Sequence, residues 1–334
     1  MKKQLLAALL LPVTALAQPT LSHVENYTIG TTLRFINCDP AAAGPAGANQ
    51  TWNFGNLSSL NDTATVWVIA PPTTNNPFPG AEFVLQDDDS SYLYYDTSAT
   101  EINMIGLVDS STSNFGNMGY SNPMLIIPRP FTYMDNAADS FYNQGTFLGF
   151  SFTGAGGTMM EADAYGTLQL PHDTFTNVLR IKTYTEEEDM ITGLGMLNTR
   201  IASYTWYIDS IPGALLRIDS MKFTGAYNDS SVDVQYYYNA QPTGLGEVKA
   251  HKLQAAAGIT GNELVLSASF EQGRQYEAAV YSLNGQKVYS TAFPGASGTQ
   301  RLTMGSDLAA GTYIITLRRK GDFRSQVVMK VVKP

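Results

Sequence analysis

Short stretches in which apolar and polar residues alternate run through most of the chain. Residues 158–165 place one set of side chains on each face of an extended strand, and the same period of two recurs in 177–185, 201–208 and 232–238. No stretch keeps the 3.6-residue period of an amphipathic helix for more than two turns. The pattern therefore predicts an all-β protein.

A Pro/Gly-rich stretch at 241–246 interrupts this pattern, because neither a strand nor a helix continues easily through it. The long part before it can bury a large core, and we predict a β-sandwich-like domain there, although two stacked β units fit the pattern as well. About six or seven short strands follow, the spacing of a small Ig-like β-sandwich. The predicted boundaries are a β-rich domain at 18–241, a linker at 242–261 and the small sandwich at 262–334.

The first 17 residues have the three parts of a secretory signal peptide. Two lysines precede a short apolar run, and the small residues Ala15 and Ala17 place the cleavage site before Gln18. The run is too short to cross a bilayer, and no later stretch approaches the roughly 18 apolar residues of a membrane span. We therefore expect the Sec machinery to export a soluble mature chain without a transmembrane span.

Charge divides the chain in the same place as the strand pattern. Residues 18–246 carry 23 acidic and 7 basic side chains, whereas residues 247–334 carry 6 acidic and 11 basic ones. The acidic part repels phosphate, which argues against nucleic acid as a partner. With three histidines and the single Cys38, the chain forms no intramolecular disulfide and has little material for His-based catalysis.

The basic C-terminal part contains three motifs in a fixed order. A hydrophobic strand and an Asn-Gly turn precede a Lys-Val pair, a Leu-x-x-Gly-x-Tyr motif follows, and a valine-rich strand with lysines comes last. Their key positions are Gly285, Lys287, Leu308, Gly311, Tyr313 and Lys330. This combination resembles the type A C-terminal sorting domain of the type IX secretion system of Bacteroidota.

The resemblance implies a route of export. A sorting domain of this type docks on the outer-membrane translocon, and a sortase-like protease then typically removes it. The passenger that it carries is released or anchored to surface lipopolysaccharide. We therefore expect the protein to be secreted or held at the cell surface after passage through the periplasm. An ordinary Ig-like accessory domain is the alternative.

Aromatic side chains are the first candidates for ligand binding in the β-rich domain. The segment 44–54 ends in Trp52 and Phe54, and it is similar to segments of uncharacterised secreted β-rich Bacteroidota proteins. With Tyr92 and Tyr94, these residues could form platforms for a glycan or a protein, or they could be core residues.

Clustered carboxylates are the other candidates. Asp87, Asp88 and Asp89 could bind calcium, the only cofactor that the sequence suggests, although a solvated turn fits the same residues. The run 186–189 predicts a charged surface turn. Glu161 and Asp163 are two residues apart on a predicted strand, which would place two acids near one substrate.

Two functions follow from these features. The favoured one is a non-catalytic module that binds a glycan or a protein, since the chain contains none of the common nucleophile, zinc or dithiol motifs. The alternative is a secreted, glycosidase-like hydrolase that uses paired carboxylates. The sequence leaves open whether the protein is an enzyme and favours the view that it is not.

Overall fold

The computed structural model describes residues 18–87, 91–109, 115–147, 149–238, 255–283, 285–296, 298–305, 308–320 and 322–333. All of the regular secondary structure within these ranges is β-strand, which confirms the all-β prediction. No helix long and apolar enough for a membrane span occurs in these ranges. The predicted signal peptide with Ala15 and Ala17, the residues Asp88 and Asp89, and most of the predicted linker lie outside the described residues.

The described residues form twenty-two strands. In chain order they are β1 (Thr20–Leu21), β2 (Thr32–Cys38), β3 (Gly47–Asn53), β4 (Ser59–Ile69), β5 (Phe83–Asp87), β6 (Ser91–Thr97), β7 (Glu101–Asp109), β8 (Phe115–Pro128), β9 (Phe131–Thr132), β10 (Asn136–Phe147), β11 (Phe150–Gln169), β12 (Thr174–Ile191), β13 (Gly195–Tyr207), β14 (Leu216–Gly225), β15 (Asp229–Tyr237), β16 (Ala255–Thr260), β17 (Glu263–Ala268), β18 (Gln275–Ser282), β19 (Lys287–Pro294), β20 (Thr299–Thr303), β21 (Gly311–Arg319) and β22 (Asp322–Lys333).

Twelve strands between β2 and β15 form one closed, barrel-like sheet, which we call the closed-sheet domain. When β1, β3 and β9, which lie outside the ring, are left out, each strand of this sheet pairs antiparallel with the next one along the chain. The sheet closes because β10 pairs with both β8 and β11, and β15 pairs with β2. Strand β3 lies outside the ring and pairs parallel with the end of β11.

The two faces of this sheet carry different cores. Inside, an apolar cluster that includes Phe83, Ile102 and Ile181 joins strands from opposite walls. Outside, a second cluster around Trp206 and Val234 is covered by β3 and the segments beside it. Strands β11–β15 pack on the inner cluster with one face and on the outer cluster with the other, and they therefore carry large apolar residues on both sides.

Residues 255–333 form a two-layer β-sandwich, which we call the C-terminal module. A three-stranded sheet in the order β16-β17-β20 packs on a four-stranded sheet in the order β19-β18-β21-β22, with a shared core that includes Tyr276, Leu264 and Ile315. Among the described residues the module begins at Ala255, because β16 pairs with β17 along its whole length inside the range predicted as a linker. The sequence does not reveal β16, because its small residues lack the alternation of apolar and polar side chains that is typical of a strand.

Candidate functional site

The aromatic residues proposed as surface platforms are mostly buried. Trp52 is 2% exposed, meets the Trp206 ring edge-on at 5.8 Å and donates from Nε1 to the Pro45 carbonyl at 3.1 Å. Phe54 packs against the same Trp206 ring. These residues hold β3 on the sheet and belong to its outer core.

Tyr94 is covered in a similar way on the other half of the closed sheet. Its ring lies 4.9 Å from the Phe78 ring, and only 4% of Tyr94 is exposed. Tyr92, two residues earlier on the same face, is half-buried. The segment that carries Phe78 therefore covers this face, and only Tyr92 keeps part of its surface.

The acids Glu161 and Asp163 do not converge on an open site. A register shift in β11 lies between them. Asp163 accepts two hydrogen bonds of 2.8 Å from the buried Arg180, while the exposed Glu161 lies opposite the exposed Lys182. The Arg180 guanidinium also lies within 5.5 Å of the rings of Trp52, Tyr204 and Trp206. Asp163 is therefore part of a structural ion pair.

The predicted calcium ligands are described only in part. Asp87 ends β5 opposite Ser91, and Asp88 and Asp89 follow outside the described residues. Within the described ranges, no three His, Cys, Asp or Glu side chains come together as a metal site. Cys38 is buried, and burial raises the pKa of its thiol to about 12, so it is a protonated core residue at neutral pH.

The six motif positions of the C-terminal module are held in its turns and its four-stranded sheet. Gly285 has φ +78° in the turn before β19, where Lys287 begins the strand. Tyr313 is buried and donates to the Ala309 carbonyl at 2.8 Å. The remaining positions are Leu308, which is partly buried against the module core, Gly311 at the start of β21, and Lys330, whose Nζ lies 4.2 Å from the Phe150 ring centre.

The inside of the closed sheet contains a wall of polar side chains. Register partners across a sheet point to the same side, so one row of partners shows which residues face inward. The row that begins at the inner core residue Ile181 continues through Thr205, Arg217, Gln235, Asn37 and Asp62. The buried inward polar residues are Asn37, Asn143, Thr158, Asp189, Thr199, Ser203, Thr205, Asp219 and Gln235.

Space remains between this polar wall and the opposite one. Arg217 faces inward, yet 46% of its side chain is accessible. Four more inward-facing residues are only half-buried, although each lies in the middle of its strand. They are Thr183 and Ile201 on the polar side and Leu85 and Leu93 on the opposite side. The interior is therefore not filled by side chains and has a polar wall and a more apolar one.

No protein-family model, curated protein or solved structure matches the chain. The functional argument therefore depends on the geometry and chemistry of the closed sheet.

A pair of carboxyl groups stands at one end of the polar wall. Asn143 donates from Nδ2 to Glu187 Oε1, and Glu187 is hydrogen-bonded to Asp189. Burial, and then repulsion by Asp189, raises the pKa of Glu187 to about 8, while burial raises that of Asp189 to about 6. The two acids therefore share a proton near neutral pH.

A glycine tract in the neighbouring strand makes room for this pair. A Cβ atom on Gly154 would lie 1.9 Å from Asp189 Oδ1 and 2.4 Å from Asn143 Oδ1, so no larger residue fits. The expectation of a surface turn at 186–189 is wrong, because these residues lie within β12. Glu187 and Asp189 face inward, whereas the residues that alternate with them are exposed. A glycine run and an acidic run in successive strands were the available sequence signal.

A second polar group lies where the N-terminal segment enters the interior. The Tyr27 hydroxyl donates to Glu25, whose pKa is raised by burial. Nearby, Arg217 Nε and Asp219 Oδ2 form an ion pair of 2.7 Å. The pKa of Arg217 is raised chiefly by this contact. The charged side chains at this end of the interior therefore have partners within the chain: Glu25 has Tyr27, and Arg217 has Asp219.

Several oxygen atoms of the polar wall have no hydrogen-bond partner among the described residues. They are Asn143 Oδ1, Asp189 Oδ1, Asp219 Oδ1, Gln235 Oε1 and Ser231 Oγ. A buried acceptor without a donor costs about 1–3 kcal/mol, so such atoms normally bind water or a ligand. The wall therefore has more acceptors than donors, and a ligand that supplies donors reaches these covered atoms only when the neighbouring groups of the chain shift.

Proposed function

We propose that this is an exported β protein whose closed-sheet domain binds a small, donor-rich ligand in its interior. The observation that carries the proposal is the buried polar wall with its unpartnered acceptors, Asp219 Oδ1 and Gln235 Oε1 among them. Closed sheets of this size can enclose a ligand, and ligand sites are usually mostly apolar with a few fixed polar groups. Saccharide hydroxyls and alkyl ammonium groups both supply the required donors.

Delivery forms the other half of the proposal. The C-terminal module is a basic β-sandwich on an acidic partner, consistent with a type IX sorting domain that engages the outer-membrane translocon after Sec export. The protein would then be secreted or held at the cell surface, having passed through the periplasm.

Truncation in a Bacteroidota host tests the delivery route. Removal of residues 311–334 deletes β21 and β22, half of the four-stranded sheet, so we expect the closed-sheet domain to stay in the periplasm. Cell fractionation with an antibody against the closed-sheet domain measures this, and the full chain is the control. Surface delivery of the truncated chain would contradict the sorting role.

Substitution of Gln235 tests the ligand site. Gln235→Leu removes an acceptor that has no partner in the described chain, so we expect equal or higher thermal stability but at least about tenfold weaker ligand binding. Isothermal titration with neutral oligosaccharides and with linear polyamines measures binding and separates the two ligand chemistries.

Gln144→Leu is the matched control, since Gln144 is exposed on the outer face of β10. It should bind the same probe as well as the unsubstituted chain. Equal binding by the Gln235→Leu and Gln144→Leu variants would argue against an interior site.

The carboxyl pair supports a second candidate, a hydrolase. Glu187 and Asp189 are in hydrogen-bond contact, whereas glycosidase carboxyl groups stand about 5–9.5 Å apart, so this pair does not favour glycoside hydrolysis. A pair that shares one proton is instead the arrangement of acid proteases. Peptide hydrolysis that disappears in Glu187→Asn would favour this candidate over a binding protein.

A further inference from the structure

The C-terminal module lies against one end of the closed sheet. At that end, inward-facing side chains of β11, β12 and β13 pack on the module as well as on each other. They form a joint apolar cluster with the outer face of the four-stranded sheet. The cluster contains Phe152, Ile191, Leu194, Leu197 and Tyr227 from the closed-sheet domain and Ala279, Tyr281 and Ile314 from the module.

Polar contacts surround this apolar cluster. Arg318 and Asp229 form an ion pair of 2.8 Å, and the Tyr281 hydroxyl donates to the Asn228 carbonyl at 3.0 Å. On β4, the Leu60 carbonyl accepts a hydrogen bond of 2.7 Å from Arg274. In the order of the ring, only β2 separates β4 from β15, whereas β11 lies on the opposite side from β4, so the contacts of the module extend along about half of the rim.

The opposite end of the interior is filled by the chain itself. Leu21, Val24 and Phe131 are buried in the inner apolar cluster, and β1 pairs with β9 beside them. Among the described residues, the end under the module is therefore the remaining way into the space between the walls.

We propose that the C-terminal module is a lid on the interior, and that a ligand enters only when the module leaves the rim. The proposal rests on the interior space of the proposed function. The lid residues belong to the module's outer face, whereas the module's own core uses the alternating residues such as Val280 and Ile315. The module can therefore leave the rim without unfolding.

Thiol accessibility tests the lid in the full chain. Cys38→Ala removes the natural thiol, and Thr183→Cys places a new one on the inward face of β12, opposite Ser203. Ile314→Asp then puts a carboxylate into the joint cluster. We expect this third substitution to speed the reaction of the interior thiol with a small aromatic disulfide at least tenfold.

Two control variants isolate the effect. Val332→Asp changes the same face of the module sheet, but Val332 is 65% exposed and outside the cluster, so the rate should not change. Ser220→Cys, on the outer face of β14, should react at one rate with or without Ile314→Asp.

The two ways in which the inference can fail are distinct. A fast reaction of the interior thiol in every variant would mean that the module does not close the rim, while the ligand site stands. A slow reaction in every variant, including Ile314→Asp, would mean that no space lies behind the module. That result would overturn both the lid and the interior ligand site.

Discussion

Two buried acids side by side are costly unless they hold a proton between them. Glu187 and Asp189 face the same interior, and only Asn143 donates to Glu187 among the described hydrogen bonds. Ionising both groups would leave two charges in a poorly solvated place, so the fold favours the protonated form. The pair therefore links stability to pH.

This linkage predicts a loss of stability as the pH rises. The folded pKa of Glu187, about 8, lies above its ordinary value of 4.5, so between these values the folded chain binds more protons than the unfolded chain. The contribution of Glu187 is complete below about pH 4.5 and falls up to about pH 8, by at most about 1.4 kcal/mol per pH unit. Urea midpoints at pH 5 and pH 8 measure it.

Two variants show whether the acid pair is responsible. Glu187→Gln removes the titrating group and should flatten the fall between pH 5 and pH 8. Glu188→Gln, an exposed neighbour on the other face of β12, should keep the slope of the unsubstituted chain. The same slope in both variants would place the pH dependence elsewhere.

At the scale of elements, β11 holds two layers together through its glycines. Its first half pairs with β10 and closes the ring, while its second half pairs with β3 and anchors the outer core. A Cβ on Gly166 would lie 1.9 Å from the Gln50 carbonyl oxygen, so β3 can approach only a glycine there. The closure of the ring and the covering of its outer core by β3 thus both depend on the backbone of β11.

Local signals in the sequence were sufficient to predict the main strands and the hairpin turn of the C-terminal module. The Asn-Gly pair predicts the turn between β18 and β19, and Gly285 indeed takes φ +78°. The alternation around Tyr313 predicts β21, and this tyrosine is buried in the module core. These features need only a few neighbouring residues to form.

The interior site depends on contacts that sequence patterns do not contain. Four successive acids at 186–189 are polar on both faces of a strand, so nothing local marks Glu187 and Asp189 as inward. Their direction follows from the pairing of β10 with β11, which closes the sheet and gives it an inside. Trp52 is ambiguous for a similar reason, since its burial requires Trp206 from a distant strand.

At the scale of the whole molecule, two independent cores are coupled by a third cluster. The module core and the inner core of the closed sheet share no residue, whereas the joint cluster draws on both units. Each unit thus stabilises the other while the module is docked, in the same way that a bound ligand stabilises its receptor. Covalent connection keeps the effective concentration of the module high.

Differential scanning calorimetry of the full chain should reveal this coupling. In the unsubstituted chain we expect the less stable unit to unfold close to the more stable one, because undocking and unfolding are linked. Ile314→Asp buries a carboxylate among Tyr281, Ala279 and their partners at a cost of about 2 kcal/mol or more, so the docked state is lost and the transitions separate. The exposed Val332→Asp should leave the profile unchanged. If Ile314→Asp leaves it unchanged as well, the joint cluster does not couple the units, because a charge at its centre has no effect on either.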